Sequence, residues 1–438
     1  MVFDMEALAG GSSSLCSFMR SRRPLSRTHF AHTLLPKRYP AFCPPARFSA
    51  PFCSLGAQEL ASAPSDVEAN RSARLLEIVA NPAGISKVLL DGLPMLKQPY
   101  KPYPFIRNRH QETIFALFFR SLPDVIFRRE CLRMQDNGTV ALDWPVRGAD
   151  CDVGQDHFTR DGCPVLILLP GLTGGSGDSY VRHLLVRARK RGWIVVVFNS
   201  RGCANSPVTS PQFYSASFTE DLRQVVRHVG GLFPASHLYA AGWSLGGNIL
   251  VRYLGQEGEN CPLTGAVSLC NPFNLVIADE DFHKGFNNVY DSALARSFRK
   301  IFKKHAPLFE CIGGEYNIPK AAAARSVRDF DDGLTRVSFG YKSVDDYYKD
   351  ASSSRSIKDV RIPLLCIQAD DDPIAPSRGI PRADIWDNGN CFLVVTPSGG
   401  HLGWVAGEGA PRGAPWTDPL VMDNFELLEN SGQVVSSK

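Results

Sequence analysis

Short apolar runs alternate with helical stretches through most of this chain of 438 residues, and the alternation limits the folds that it can adopt. Strands that alternate with helices favour a mostly parallel sheet covered on both faces. The runs that fit buried strands are 164–169, 193–198, 238–241, 265–269, 364–368 and 391–395. Two further runs, 125–134 and 139–144, flank a turn at 135–138 and predict an antiparallel hairpin. We therefore predict an α/β fold with an eight-stranded sheet flanked by helices, in which sites form at the carboxyl ends of the strands.

The alternation stops between residues 272 and 360, in a stretch far longer than an ordinary connection. This stretch is rich in phenylalanine, tyrosine and charged residues, which is not the composition of a flexible linker. We predict a mainly helical cap that is inserted after the sixth strand and lies over the strand ends. An insertion that never contacts substrate is the alternative. The domain that contains the sheet is predicted to span 125–438, after a lead-in at 59–124.

The first 58 residues differ in composition from the rest of the chain. Arginines and lysines alternate there with serines and prolines, and no acidic residue occurs between Ala7 and Gln58. This composition is typical of a transit peptide that is removed on import, and no apolar segment of a secretory signal follows the first charges. We predict a transit-like, disordered segment at 1–58 and a location in the chloroplast. A mitochondrial location, or a cytoplasmic protein with an unprocessed tail, is the alternative.

Composition argues against several other classes of protein. The net charge is +4, and because the basic excess lies in the first 58 residues, the rest gives no electrostatic basis for binding nucleic acid. The twelve cysteines form neither a CxxC pair nor a disulfide framework, so we interpret them as reduced thiols. The longest apolar runs, such as 194–198, are far shorter than the roughly 20 residues of a membrane span.

A serine flanked by glycines follows one of the predicted strands. The stretch Gly242-Trp243-Ser244-Leu245-Gly246 fits the pattern GxSxG between a strand and a helix. There a serine occupies a strained turn that lifts its Oγ above the sheet, and the glycines let strand and helix cross closely. The pattern predicts Ser244 as a nucleophile and the Leu245 amide, at a positive helix N-terminus, as an oxyanion donor. A plain glycine-rich turn is the alternative, but it would leave the motifs below unexplained.

A glycine-rich loop, 170–176, follows the first predicted parallel strand. Its position predicts that the Leu172 amide completes an oxyanion hole with the Leu245 amide. The loop lacks the lysine of a P-loop, and Tyr180 stands where a dinucleotide fingerprint needs a third small residue. We therefore expect no nucleotide, and neither a metal nor an organic cofactor.

A nucleophilic serine needs a histidine base that a carboxylate orients. His401 directly follows the last predicted strand, and it comes after Ser and Asp in the chain order that this fold class requires. Three adjacent aspartates, 370–372, follow the strand before it. We favour Asp372 as the acid because Pro373 fixes the backbone just past it, and Asp371 is the alternative.

Taken together, these motifs resemble those of the α/β-hydrolase superfamily. The similar subfamily includes plant embryogenesis-associated hydrolases, yeast medium-chain fatty-acid ethyl ester synthases and animal abhydrolase-domain lipases. The matching stretches within residues 95–405 are 108–113, 141–144, 170–176, 198–203, 242–246, 371–373 and 399–401. The resemblance implies a serine hydrolase of acyl esters with Ser244, Asp372 and His401 as its triad.

The chain departs from its apparent relatives at two points. Some relatives begin with a membrane-anchoring helix, whereas this chain begins with the transit-like segment, so membrane residence does not carry over. Some also contain an HxxxxD acyltransferase motif, which none of the ten histidines here completes. We expect an acyl ester or lipid as substrate, with peripheral membrane contact left open and the oligomeric state unspecified. An acyltransferase with the same triad and a non-catalytic binding protein are the alternatives.

Overall fold

The structure, a computed structural model, describes residues 75–106, 108–148, 162–310, 316–407 and 409–436. The predicted transit-like segment lies outside these residues. The strands of the described part are β1 (Glu77–Ala80), β2 (Val125–Arg133), β3 (Thr139–Gly148), β4 (Val165–Leu169), β5 (Ile194–Asn199), β6 (Leu238–Trp243), β7 (Gly265–Leu269), β8 (Leu364–Ala369) and β9 (Cys391–Thr396).

These strands form one sheet in the order β1-β9-β8-β7-β6-β4-β5-β3-β2. The six strands from β4 to β9 pair in parallel, and the β2–β3 hairpin adds to β5 in antiparallel orientation. The sheet has nine strands rather than eight because β1, within the predicted lead-in, pairs antiparallel with β9. A strand of four residues has too little periodicity to stand out, and its partner lies about 300 residues further along the chain. The predicted α/β fold class is confirmed.

Helices cover both faces of the sheet and form the cap. They are α1 (Ile85–Gly92), α2 (Arg109–Phe118), α3 (Ser179–Lys190), α4 (Glu220–Leu232), α5 (Leu245–Glu257), α6 (Leu275–Phe282), α7 (Asn287–His305), α8 (Pro307–Glu310), α9 (Ile318–Ala323), α10 (Val327–Phe330), α11 (Arg336–Ser338), α12 (Val344–Ala351), α13 (Arg382–Asp387) and α14 (Thr417–Ser436). No helix in the described part of the chain combines the length and the apolar character needed to cross a bilayer.

Side chains of the central strands alternate between two buried layers. In β4, Val165, Ile167 and Leu169 belong to one layer, while Leu166 and Leu168 belong to the other. Helices α4 and α5 cover the first layer, and α3 and α14 cover the second. Because both faces are covered, β4 is apolar at every position, as is typical of a parallel strand.

The cap occupies the chain between β7 and β8. Its described residues form α6 to α12 and a π-helical turn, Asp331–Thr335. Aromatic rings build its core: Phe298 stacks on Phe330 with ring centroids 4.5 Å apart, and Phe309 stacks on Phe213 at 5.2 Å. Since Phe213 lies in the connection after β5, the cap packs against segments that leave the carboxyl ends of the strands.

Candidate active site

Ser244 lies at the junction of β6 and α5 in a strained conformation. Its φ is +52° and its ψ is −121°, a region that costs a non-glycine residue about 1–3 kcal/mol. The Ser244 amide donates a hydrogen bond to the Leu269 carbonyl at 2.9 Å, which ties the turn to β7. A Cβ at Gly246 would collide with the Leu169 carbonyl, and one at Gly242 would lie 2.6 Å from the Gly246 oxygen. Both glycines are therefore required by the close crossing of strand and helix.

His401 and Asp372 meet Ser244 above the sheet. The Nε2 atom of His401 lies 3.0 Å from Ser244 Oγ, within hydrogen-bonding distance. The Nδ1 atom of His401 lies 2.8 Å from Asp372 Oδ2 and 3.0 Å from Oδ1. All three residues are buried. The arrangement can take a proton from the serine hydroxyl and pass it to a leaving group.

The structure distinguishes among the three adjacent aspartates. Asp372 is the one that contacts His401, and its Oδ1 also accepts hydrogen bonds from two backbone amides of the following turn, each at 2.8 Å. Asp371 instead accepts a hydrogen bond from the Gly400 amide at 2.9 Å, and burial raises the pKa of its carboxyl to about 6. Asp370 accepts a hydrogen bond from the hydroxyl of the half-buried Ser377.

The glycine-rich loop crosses directly over Ser244, since a Cβ at Gly171 would lie 3.2 Å from the serine Cβ. The two amides that flank Leu172 are anchored: Gly171 donates to the Tyr180 hydroxyl at 3.0 Å and Thr173 to the Tyr214 hydroxyl at 2.8 Å. These tyrosines hold the Leu172 peptide next to the serine. Sequence reasoning did not identify their role.

The Leu245 amide opens α5. As a first-turn donor it has no acceptor within its own helix, and the helix dipole makes its surroundings favourable to negative charge. The side chains of Leu245 and Leu172 both pack against the aromatic core of the cap. The two predicted oxyanion donors thus border the space between Ser244 and the cap.

A second group of residues that the sequence analysis did not assign holds the histidine loop, 399–405. The His401 amide donates to Thr113 Oγ1 at 2.9 Å, and the Val405 amide donates to Glu112 at 3.2 Å. Arg120 donates to the carbonyls of residues 402 and 403. Helix α2 and the residues just after it therefore clamp the loop that carries His401.

Burial perturbs the ionisable groups of this clamp. It raises the pKa of Glu112 from 4.5 to about 8, with the nearby Asp371 charge acting in the same direction. It lowers the pKa of Arg120 to about 10, against the opposing effect of neighbouring acidic groups. The sequence 108–113 contains one recognisable local feature, the N-cap residue Asn108 of α2. That feature predicts where the helix begins, but not that the helix contacts the loop of His401.

The cap also reaches the clamp. Tyr290 of α7 hydrogen-bonds through its hydroxyl to His110 Nδ1 of α2 at 3.0 Å. Burial raises the pKa of this tyrosine to about 12. A side chain of the cap thus touches α2, the helix that also holds the His401 backbone. Among the described residues, no group of three or more His, Cys, Asp or Glu side chains could hold a metal ion.

This geometry defines a class of protein. A mostly parallel sheet with a serine at a strained strand-to-helix turn, followed by an aspartate and a histidine after later strands, is the arrangement of an α/β hydrolase. A family profile of the alpha/beta hydrolase fold matches residues 164–405, more than half of the chain. The chain belongs to this family.

Several relatives are similar over most of their length. The chain is 67% identical over 363 residues to the embryogenesis-associated protein EMB8 of Picea glauca, covering 82% of this chain and 78% of that protein. It is 33% identical over 362 residues to phospholipase ABHD3 of Bos taurus, covering 82% and 86%. It is 35% identical over 338 residues to a monoacylglycerol lipase of Saccharomyces cerevisiae, covering 69% and 75%. The resemblance stated from the motifs is confirmed, and family and relatives support a hydrolase.

Proposed function

We propose that this protein hydrolyses carboxylic esters of acyl lipids through a triad of Ser244, His401 and Asp372. The observation that carries the proposal is the buried chain of contacts from Ser244 Oγ to His401 Nε2 at 3.0 Å and from His401 Nδ1 to Asp372 at 2.8 Å. A serine hydroxyl becomes a strong nucleophile when an oriented imidazole can remove its proton.

In the first half of the reaction, Ser244 Oγ forms a bond to the ester carbonyl carbon while its proton moves to His401 Nε2. The carbonyl oxygen becomes an oxyanion, which the amides of Leu172 and Leu245 stabilise. Collapse of this intermediate breaks the bond to the alcohol, which leaves with the proton from His401. Asp372 keeps the imidazole in the required tautomer and stabilises its charged form.

In the second half, His401 removes a proton from water and the hydroxide attacks the acyl group on Ser244. A second oxyanion forms against the same two amides and then collapses to the free acid. The serine oxygen takes back the proton from His401. The ester and one water are consumed, and one acid and one alcohol are released.

The cap supports an acyl chain as the substrate group. Leu172 and Leu245, the two predicted donors, pack against an aromatic cluster that includes Phe298, Phe302 and Phe330. A hydrocarbon chain attached to a carbonyl at the oxyanion position would leave the site along apolar side chains of this kind. Relatives named phospholipase and monoacylglycerol lipase act on lipid esters by their names, which favours the same substrate class here.

The proposal is tested by Ser244→Ala in the purified full chain. We expect wild type to cleave a chromogenic acyl ester and to react with a fluorophosphonate probe, and the variant to do neither. Ser431→Ala, in which an exposed serine of α14 is lost, is the matched control and should behave as wild type. Equal turnover by wild type and Ser244→Ala would refute the triad, and an unreactive wild type would indicate a binding protein. Adding an alcohol and measuring ester against free acid separates hydrolysis from acyl transfer.

The N-terminal composition supports a further part of the proposal, import into the chloroplast. A fluorescent protein fused after residue 58 should enter plastids of plant cells, and a fusion with the arginines and lysines of this segment replaced by glutamine should not. Accumulation in mitochondria, or in the cytoplasm, would assign the segment to one of the two alternative locations.

A further inference from the structure

Helix α7 of the cap has two chemically different faces. Its inner face places Phe298 and Phe302 in the aromatic cluster that also contacts Leu172 and Leu245. Its outward cations, here called the basic face, are Arg296, Lys300, Lys303 and Lys304, all of them exposed. At 3.6 residues per turn the four cations fall within an arc of about 100°, centred nearly opposite the two phenylalanines. One helix therefore borders the proposed active site on one side and presents a basic surface on the other.

The charges of the basic face are not neutralised within the protein. Across the residues that the structure describes, none of the four forms an ion pair with an acidic side chain. The single acid of the helix, Asp291, is buried and accepts a backbone hydrogen bond at 2.7 Å. Elsewhere in the cap, by contrast, Arg328 pairs with Asp279 and Arg336 with Asp332.

Stabilisation of the helix end accounts for only part of this surface. Cations in the last turn of a helix interact favourably with its dipole, and Lys303 and Lys304 are in that turn. Arg296 lies about two turns earlier, where this effect is negligible. A surface that collects all four cations on one face requires another explanation.

Exposed apolar side chains flank the basic face. Val289 is 52% exposed and lies on the same side of α7, and Phe286, directly before the helix, is 48% exposed. Leu308, just past the other end, is also exposed. Cations combined with apolar side chains that project to solvent are the composition of helices that lie in a membrane interface.

We propose that the basic face of α7 docks the protein on an anionic lipid bilayer. Each lysine or arginine close to such a surface strengthens binding about fivefold, and the apolar flanks add insertion into the interface. The inference rests on the proposed function in one respect: docking by the outer face of α7 would bring lipid esters close to the proposed active site, whose oxyanion donors pack against the cluster on the inner face. Nucleic acid matches the charge but not the exposed Val289 and Phe286.

The experiment is flotation of the full chain with vesicles of phosphatidylcholine alone or of equal parts phosphatidylcholine and phosphatidylglycerol. Because the segment 1–58 carries cations of its own, its arginines and lysines are replaced by glutamine in every protein compared. The test variant is Lys300→Gln, Lys303→Gln and Lys304→Gln together. Its matched control, which replaces three exposed lysines on other elements, is Lys97→Gln, Lys190→Gln and Lys358→Gln.

We expect the parent protein to float with the anionic vesicles only, and less so at high salt. The test variant should bind them on the order of a hundredfold more weakly, while the control variant binds as the parent does. Equal losses in the two triple variants, or equal binding to neutral vesicles, would overturn the proposal. Displacement from vesicles by a DNA duplex at physiological salt would also overturn it and assign the face to nucleic acid.

Docking and catalysis are separated by two further measurements. Both triple variants should cleave a soluble short-chain ester at the parent rate, because no residue changed in either belongs to the proposed catalytic site. Ser244→Ala in the same background should still float with anionic vesicles. A Ser244→Ala protein that floats while wild type lacks esterase activity would refute the proposed function and leave the docking surface in place.

Discussion

Two loops meet at Ser244, and they are held by different chemistry. At the glycine-rich loop, neutral hydroxyls hold the two amides that flank Leu172, since Gly171 donates to Tyr180 and Thr173 donates to Tyr214. Carboxylates contact the far end of this loop, where the Gly175 amide donates to Asp178 and the Ser176 hydroxyl to Asp143. The histidine loop is fixed largely by ionisable groups: Asp371, Glu112 and Arg120 all bond to its backbone. One loop would carry an oxyanion donor and the other the general base, so the difference separates two parts of the proposed mechanism.

The two anchors should respond differently to pH. Burial raises the pKa of both tyrosine hydroxyls well above its ordinary value, so they stay neutral from acidic to mildly alkaline pH. Burial instead moves the pKa of Glu112 to about 8 and that of Asp371 to about 6, within that range. The comparison teaches that the support of the histidine loop depends on protonation, whereas the amides next to Leu172 bond directly to groups that stay neutral.

The largest expected effect distinguishes the roles of two adjacent aspartates that contact the histidine loop. Asp372→Asn should lower kcat by about 10⁴-fold, because an amide no longer holds His401 in the tautomer that accepts the serine proton. Asp371→Asn keeps an oxygen that can accept from the Gly400 amide and should cost far less. Steady-state kinetics on a soluble ester measure both. Equal losses in the two variants would remove the distinction between the orienting acid and the loop anchor.

Glu112→Gln should change how stability depends on pH. The carboxyl has a higher pKa in the folded chain, about 8 against 4.5, so the folded state binds more protons between these values. Stability from this group is therefore complete below pH 4.5 and is lost as pH rises through about 8. Glutamine stays neutral and can still accept from the Val405 amide, so the variant should not show this loss, which we expect to be a few kcal/mol.

Urea unfolding of wild type and Glu112→Gln at the two ends of this pH range measures the difference. The free energy of unfolding of the variant should rise relative to that of wild type as pH increases. Glu259→Gln, at an exposed carboxyl, is the matched control and should follow wild type throughout. A constant difference between wild type and Glu112→Gln would mean that the buried carboxyl is already charged at the lower pH, paired with Arg120.

Local sequence patterns predicted much of this molecule and missed a definable part. The six parallel strands, the helical insertion and the positions of Ser244 and His401 at strand ends follow from apolar periodicity and from motifs a few residues long. In the sequence, the choice between Asp371 and Asp372 depended on one proline. Only the folded structure shows that the Asp372 carboxylate contacts the imidazole. The anchoring residues could not be predicted. The bond from the His401 amide to Thr113 spans 288 residues and that from Thr173 to Tyr214 spans 41, so neither leaves a local pattern.

The smallest expected effect is at the glycine-rich loop. Tyr214→Phe removes the hydroxyl that accepts from the Thr173 amide, and a neutral hydrogen bond of this kind contributes about 1 kcal/mol. If the tyrosine positions the Leu172 amide for an oxyanion, the loss appears in the transition state, so kcat should fall by about fivefold with little change in KM. The pH dependence of kcat in this variant should have the same shape as in wild type, because the Tyr214 hydroxyl stays neutral from acidic to mildly alkaline pH.

Tyr239→Phe serves as the matched control, because its hydroxyl donates to Glu429 at 2.7 Å and supports neither loop. This variant should leave kcat and KM unchanged, even if the protein becomes less stable. If Tyr214→Phe lowered stability as much as Tyr239→Phe does and left kcat intact, its hydroxyl would support the fold alone. The Leu172 peptide would then owe its position to the close crossing of the loop over Ser244, and both loops would be held by their packing rather than by the contrast between neutral and ionisable anchors.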